Sequence, residues 1–120
     1  LWQYCTEAGV TDLIDLAALK ERLRKQVRHC ISSNIDEWET SYVCKPSQFF
    51  LNNSSIFYAD NKEMADYECE FIKKSQLEDG SWSIPWSWND SPDEWAISKN
   101  WWKGNHAILN TLYLRGMGKL

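Results

Sequence analysis

The stretch Gln76-Leu77-Glu78-Asp79-Gly80-Ser81-Trp82 opens a segment, 76–102, that holds six of the eight tryptophans of the chain. Asp-Gly is a strong turn signal, because glycine adopts positive φ without steric cost. The turn would fold the Trp82 indole back over the end of the preceding helix, where Gln76 could satisfy free backbone groups with its amide. Gln76, Asp79, Gly80 and Trp82 therefore predict a structural clamp, with direct ligand contact as the alternative.

Helical periodicity on both sides of this segment predicts an all-α fold. Apolar residues recur at spacings of three and four from Asp12 to about Ile31, over about 60–76 and over about 99–115. Thr11 or Asp12 can cap the first of these helices, and Asp60 can form a motif like a capping box at the start of the second. The residues between the last two helices, rich in Trp, Pro, Ser and Asn, are expected to form a long loop.

Residues 34–58 are aromatic without a sustained period and are expected to form a packed connector. Pro46 suits the first turn of a short helix at 46–50. The chain then divides into a helix plus aromatic connector over 1–59 and a helix pair with a Trp-rich loop over 60–120. Its length predicts one helical domain.

The pattern Gln76…Gly80-Ser81-Trp82 resembles the repeat motif of the terpene cyclase and prenyltransferase superfamily, the squalene-cyclase-type Gln…Gly-x-Trp repeat. The resemblance covers about 60–118, where the Trp-rich loop is followed by a helix with Leu109-x-x-Leu112-Tyr113-Leu114. It implies antiparallel helix hairpins that form part of an α/α toroid. Because a complete ring needs more helices than the roughly three or four that this length holds, we expect a C-terminal segment of a longer protein.

The motifs that carry the family's chemistry have no counterpart here. Cyclases that protonate an alkene use an Asp-x-Asp-Asp motif, and Asp12-x-x-Asp15 has a different spacing. Protein prenyltransferases hold zinc with Asp, Cys and His, but Asp66, Cys69 and His106 lack the Asp-x-Cys spacing. We therefore predict no metal or cofactor, and neither cyclase nor prenyltransferase activity from this chain alone.

The tryptophans beyond the motif are the candidate ligand-lining residues. They could line a pocket for an isoprenoid or other apolar ligand, stabilise a carbocation by cation–π attraction, or stack on a sugar ring; core packing is the alternative. The set is Trp86, Trp88, Trp95, Trp101 and Trp102. Four carboxylates lie among the tryptophans, and a carbohydrate-active module could use two of them as an acid–base pair, although turn formation and solvation also explain them. They are Asp79, Asp90, Asp93 and Glu94.

Charge and hydropathy restrict the partners. A formal net charge of -4 and a pI near 5.1 argue against nucleic acid, whose phosphates are bound by Lys and Arg. The basic run 20–29 is interleaved with acidic and apolar residues, which is typical of a solvated helix face. No stretch approaches the ~20 apolar residues of a transmembrane helix.

The cysteines indicate the compartment. Cys5, Cys30, Cys44 and Cys69 are widely spaced, without a Cys-x-x-Cys pair. Free thiols in the cytoplasm are the expectation, and an even count keeps disulfides as the alternative.

The expected function is that of a structural and ligand-lining segment of a terpene cyclase-like or prenyltransferase-like protein. A carbohydrate-binding module and a protein-interaction domain are the competing functions. An incomplete toroid wall would leave apolar surface uncovered. We therefore expect self-association, or contact with the rest of the parent chain, through the faces that bear Trp2, Tyr4, Trp101 and Trp102.

Overall fold

A computed structural model of the chain describes residues 2–120 and contains four α-helices. They are α1 (Trp2–Glu7), α2 (Leu16–Cys30), α3 (Lys62–Lys74) and α4 (Pro92–Gly116). Single 3₁₀ turns occur at Ile35–Glu37, Pro46–Gln48 and Ala59–Asn61. Helical residues make up 57% of the chain, and no strand occurs among residues 2–120, which confirms the predicted all-α class.

The starts of α2 and α3 differ from the sequence prediction. The α2 helix starts at Leu16 and not at Asp12, because the Asp15 carboxylate caps it by accepting from the Ala18 N–H at 3.0 Å. Asp60 does not cap α3, because both of its oxygens accept from the Arg24 guanidinium of α2 at 2.7 Å. The α3 helix starts two residues later, and the Arg24–Asp60 pair instead ties it to α2.

The α4 helix is longer than predicted, since it starts at Pro92 and not near Lys99. Proline is tolerated in the first helical turn, because the backbone N–H that it lacks would have no partner within the helix. Acidic residues in the same turn are stabilised by the positive end of the helix dipole. Pro92, Asp93 and Glu94 supply these features. The Trp-rich loop is consequently shorter than predicted, and Trp95, Trp101 and Trp102 lie on the helix.

The core lies where α3, the C-terminal half of α4 and the connector meet. Its buried members come from these three segments, from the C-terminal end of α2 and from the turn after α3: Val27, Ile31, Phe50, Ala65, Cys69, Ile72, Trp82, Tyr113, Leu114 and Met117. Trp38 of the connector is 1% exposed and packs edge-on against Tyr67 and Phe71 of α3. The connector therefore belongs to the packed structure, and it forms one wall of the site described below.

The helices of residues 2–120 include none long and apolar enough to cross a membrane. All four cysteines are free thiols: Cys5 and Cys69 are buried, whereas Cys30 and Cys44 are exposed.

Candidate functional site

The Trp82 turn covers the end of α3. Gly80 has a φ of +80°, and the chain reverses there so that residues 76 and 82 form an isolated antiparallel bridge. The Trp82 indole is 8% exposed, and its N–H donates to the Ile72 carbonyl oxygen at 2.8 Å. The ring thus shields the last turn of α3 and satisfies one carbonyl group that the helix leaves free.

Gln76 and Asp79 stabilise the turn itself. The Gln76 amide donates to the Gly80 carbonyl oxygen at 3.0 Å, within the turn and not at the helix end. The Asp79 carboxylate accepts from the Ser81 hydroxyl at 2.6 Å and from the Ser81 N–H at 2.9 Å, and these bonds lower the pKa of Asp79. Lys103 of α4 reaches the Ser81 hydroxyl at 3.3 Å, so the turn also connects α3 with α4.

Beside this turn lies a cleft of about 590 Å³, here called the aromatic cleft. Its volume falls in the range of pockets that hold small organic ligands, which are mostly apolar with a few polar groups. The apolar walls come from the connector, α3, the turn and α4: Trp38, Phe71, Ile72, Leu77, Trp82, Pro85, Trp86 and Leu109. The titratable residues that line the same cleft include Lys45, Glu68 and His106, whose pKa values are shifted, together with Glu39, Tyr42 and Lys74.

Lys45 brings a positive charge into the aromatic cleft. Its Nζ donates to the Trp38 carbonyl oxygen at 2.8 Å and lies 4.7 Å from the centroid of the Phe71 ring and 5.6 Å from that of Trp38. Cation–π attraction to these ring faces favours the ammonium form. Burial lowers the pKa of Lys45, and the charges of Glu68 and Glu39 oppose this shift. Lys45 is therefore a cation that is only partly hydrated.

Glu68 is a buried carboxyl group on the inner face of α3. Its side chain is 2% exposed, and both oxygens have donors: the Ser47 hydroxyl at 2.6 Å and the Ser47 backbone N–H at 2.8 Å. Burial raises the pKa of Glu68, while hydrogen bonds from Ser47 and Tyr113 and the charge of Lys45 oppose the shift. This bond network fixes the 3₁₀ turn at Pro46–Gln48 against α3.

His106 completes the titratable set from the α4 side. Its side chain is half-buried, and burial lowers its pKa, with the positive charge of Lys45 adding to the shift. Lys45, Glu68 and His106 therefore come from three separate segments and are all shifted toward their neutral forms. Such a set can orient a polar or anionic group of a ligand by hydrogen bonding and charge.

The structure separates the five candidate ligand-lining tryptophans. Among residues 2–120, Trp86 is the member of this set that lines the aromatic cleft. Its ring contacts Trp95 at 4.9 Å and Trp102 at 5.0 Å between centroids, and Trp88 lies 5.6 Å from Trp95. These four rings form a cluster between the loop and α4. Trp101 lies apart from it and is 80% exposed.

The candidate carboxylates lie outside the aromatic cleft, as do Asp66 and Cys69, so that His106 is the candidate metal ligand that lines it. The acidic residues among the tryptophans all lie outside the lining of the aromatic cleft: Asp79, Asp90, Asp93 and Glu94. Asp66 pairs with Lys62 at 2.7 Å on the surface of α3. In the part of the chain that the structure describes, no group of three His, Cys, Asp or Glu side chains is arranged to hold a metal ion.

Sequence reasoning missed Lys45 and Glu68 as site residues. Glu68 had a recognisable signal, since it shares a helical face with Ala65, Cys69 and Ile72, all of them buried. A lone acidic residue at such a position is rarely buried without partners. Lys45 carried no comparable signal, because it reaches the cleft only after the connector packs against α3.

Comparisons of the chain with protein-family models, with curated protein sequences and with solved structures found no significant match. The functional conclusion therefore rests on the geometry of the aromatic cleft and the Trp82 turn.

Proposed function

We propose that the chain is a ligand-binding segment of a terpene cyclase-like or prenyltransferase-like helical protein, and that its aromatic cleft holds an isoprenoid-like ligand. The observation that carries the proposal is the position of the Lys45 ammonium group over the rings of Trp38 and Phe71, inside a cleft of about 590 Å³. The hydrocarbon part of the ligand would lie on the apolar walls, and an anionic head group would bind at Lys45.

The Trp82 turn supports the family part of this proposal. The residues that resemble the toroid repeat lie together at the end of α3 and support one wall of the cleft. In this proposal the turn is structural, Trp86 contacts the ligand, and the rest of the parent protein supplies the catalytic groups. A cytoplasmic location fits the four free thiols.

A carbohydrate ligand is less favoured by the arrangement of the rings. Stacking on a sugar needs an accessible ring face, and the most exposed tryptophan, Trp101, lies outside the cleft, whereas Trp86 in the cleft already contacts Trp95 and Trp102 at centroid distances of 4.9 and 5.0 Å. The four carboxylates among the tryptophans also lie outside the cleft, and both oxygens of Glu68, which lines it, already accept hydrogen bonds from Ser47. Soluble oligosaccharides therefore serve as the comparison ligands in the test.

The test is a titration of intrinsic tryptophan fluorescence with farnesyl diphosphate, with farnesol and with cello-oligosaccharides. We expect saturable quenching by the first two. Lys45→Met keeps the aliphatic stem but removes the charge, so it should weaken binding of the diphosphate about tenfold or more and leave farnesol binding nearly unchanged. Trp86→Ala should weaken both.

The matched control is Lys25→Met, which removes a charge from an exposed position on α2 outside the cleft. An equal loss of diphosphate binding in Lys25→Met and Lys45→Met would mean that binding is a general charge effect. Quenching by oligosaccharides alone would replace the proposal with the carbohydrate-binding alternative.

A further inference from the structure

The α4 helix carries apolar side chains on two opposite faces. The inner face is occupied, since Trp95 and Trp102 contact Trp86, His106 and Leu109 line the aromatic cleft, and Tyr113 is fully buried. An amphipathic surface helix would be polar on the other side. Instead, the outer face of α4 has a second apolar stripe, which the other elements of residues 2–120 leave exposed.

This outer stripe consists of Ile97, Trp101, Gly104, Ile108 and Leu112. Their spacings of four, three, four and four place them on one line along the helix. The large side chains are 70%, 80%, 62% and 46% exposed in that order, and nothing lies within 4 Å of a β-carbon built at Gly104. A continuous apolar stripe of this kind usually marks an interface.

The charges at its ends indicate what covers the stripe. Asp93 lies eleven residues before Gly104, and Arg115 lies eleven residues after it. Glu94 adds a second acidic group at the first end. These three side chains are exposed, and none forms a salt bridge within residues 2–120. One end of the stripe is thus acidic, the other is basic, and a glycine lies midway.

We propose that the outer stripe of α4 is the interface of a homodimer in which two α4 helices pack antiparallel and cross at Gly104. A twofold axis at Gly104 sets Asp93 of each copy opposite Arg115 of the other, and Trp101 opposite the turn that bears Ile108. The interface is isologous, because each copy uses the same surface. The absence of a side chain at Gly104 lets the two helices approach closely at the crossing point.

The antiparallel arrangement agrees with two further features. The helix dipoles of the two copies oppose each other, and each acidic N-terminal turn meets the basic C-terminal end of its partner. The α4 helix, 25 residues long, extends about 37 Å, so the stripe is long enough for several turns to interdigitate. The proposal uses the face of α4 opposite the aromatic cleft and does not depend on ligand binding there.

Charge reversal tests the arrangement through sedimentation of the 120-residue chain at micromolar concentrations. Arg115→Glu alone, and Asp93→Lys with Glu94→Lys, should each raise the dimer dissociation constant about tenfold or more, since like charges then face each other. Their equimolar mixture should form a heterodimer of near wild-type affinity, and a chain with all three changes should recover self-association.

Truncation of the central aromatic gives a second measurement. Trp101→Ala should raise the dissociation constant by about 30-fold or more, the size of effect expected of a buried interface tryptophan. Tyr4→Ala is the matched control, because Tyr4 is 76% exposed on α1, away from the stripe. Circular dichroism should show that all variants keep the helix content of the parent chain.

Three results would overturn the proposal. A chain that stays monomeric at tens of micromolar would mean that another segment of the parent protein, or a different partner, covers the stripe. A dimer that Trp101→Ala leaves intact would place the interface elsewhere. Loss of affinity in both charge variants without recovery in their mixture would exclude the antiparallel arrangement.

Discussion

The two halves of α4 carry similar residues in opposite surroundings. In the C-terminal half Tyr113 is fully buried, Leu114 is 8% exposed, and a β-carbon at Gly116 would overlap the Leu51 carbonyl oxygen of the connector. In the N-terminal half Ile97 and Trp101 are 70% and 80% exposed. One helix therefore passes from a closely packed environment to an open one within a few turns.

The two halves differ because different segments of the chain pack against them. The C-terminal half packs against α3 and the connector, which reach it from two directions. The N-terminal half is contacted on one side, by the Trp86 and Trp88 rings of the loop and by the Ser81 hydroxyl at Lys103. We infer that the inner face of the C-terminal half determines the stability of the chain, whereas the N-terminal half and the outer stripe are available to partners.

Tryptophan truncation gives the largest expected effect. Trp82→Ala should lower the free energy of unfolding by about 3–5 kcal/mol, because it removes a buried ring and the hydrogen bond to Ile72. Trp101→Ala should change it by about 0.5 kcal/mol or less in the monomer. Guanidinium unfolding at submicromolar concentration, followed by circular dichroism, measures both.

Trp82→Phe serves as the control, since it keeps an aromatic ring and loses only the N–H donor. Its loss of stability should lie between those of the two alanine variants, near the ~1–3 kcal/mol of an unsatisfied buried group. Similar unfolding midpoints for Trp82→Ala and Trp101→Ala would show that the ring over α3 adds nothing to stability.

Three of the four helices were predicted from the sequence, but where each of them begins was not. Periodicity identified α2, α3 and α4 because each packs one face into the core. The start of α4 was missed because Pro92, Asp93 and Glu94 are equally typical of a loop and of a first helical turn. Asp60 was assigned as a cap because its partner, Arg24, lies 36 residues away and leaves no local signal.

Substitution of two glycines of α4 should change the free energy of unfolding by smaller amounts, and the two changes should have opposite signs. Gly116→Ala should destabilise the fold by about 1–3 kcal/mol, since the added methyl group must displace the backbone at Leu51. Gly104→Ala meets open space and should stabilise the isolated chain by up to about 1 kcal/mol through helix propensity. Thermal unfolding of the two variants beside the parent chain measures the signs.

The double variant adds a check on independence. The two positions are separated by three turns and share no neighbours, so the two effects should be additive within about 0.5 kcal/mol. A Gly104→Ala variant less stable than the parent monomer would indicate that the N-terminal half of α4 is packed more closely than its exposure suggests.

The aromatic cleft was only partly predictable. The richness in tryptophan pointed to Trp86, which lines it, but also to Trp101, which lies on the opposite face of α4. The loop residues show no helical period, so the sequence does not indicate where their side chains point; tertiary contacts determine this. The Ser47 hydrogen bonds to Glu68 hold the connector against α3 and so bring Lys45 and Glu68 into the same cleft. No local sequence pattern reveals this link.

The Glu68→Gln substitution should change the free energy of unfolding least, and the size of the change should depend on pH. Burial raises the pKa of Glu68 in the folded protein above its ordinary value of 4.5. The protonated carboxyl group therefore contributes its full stability below that value, and the contribution is lost as pH rises through the folded-state pKa. Relative to Glu68→Gln, which can still pair with Ser47, the parent chain should lose stability over this range.

Urea unfolding of both chains between pH 4 and pH 8 would measure the difference, and Ser47→Ala provides the control. That change removes a hydroxyl donor to the ionised form, so the loss of stability should extend to higher pH. A parent chain that instead gains stability over Glu68→Gln with rising pH would mean that Lys45 and Ser47 outweigh burial. Lys45 would then be held as the partner of an ionised Glu68 and would not be free to bind the anionic group of a ligand.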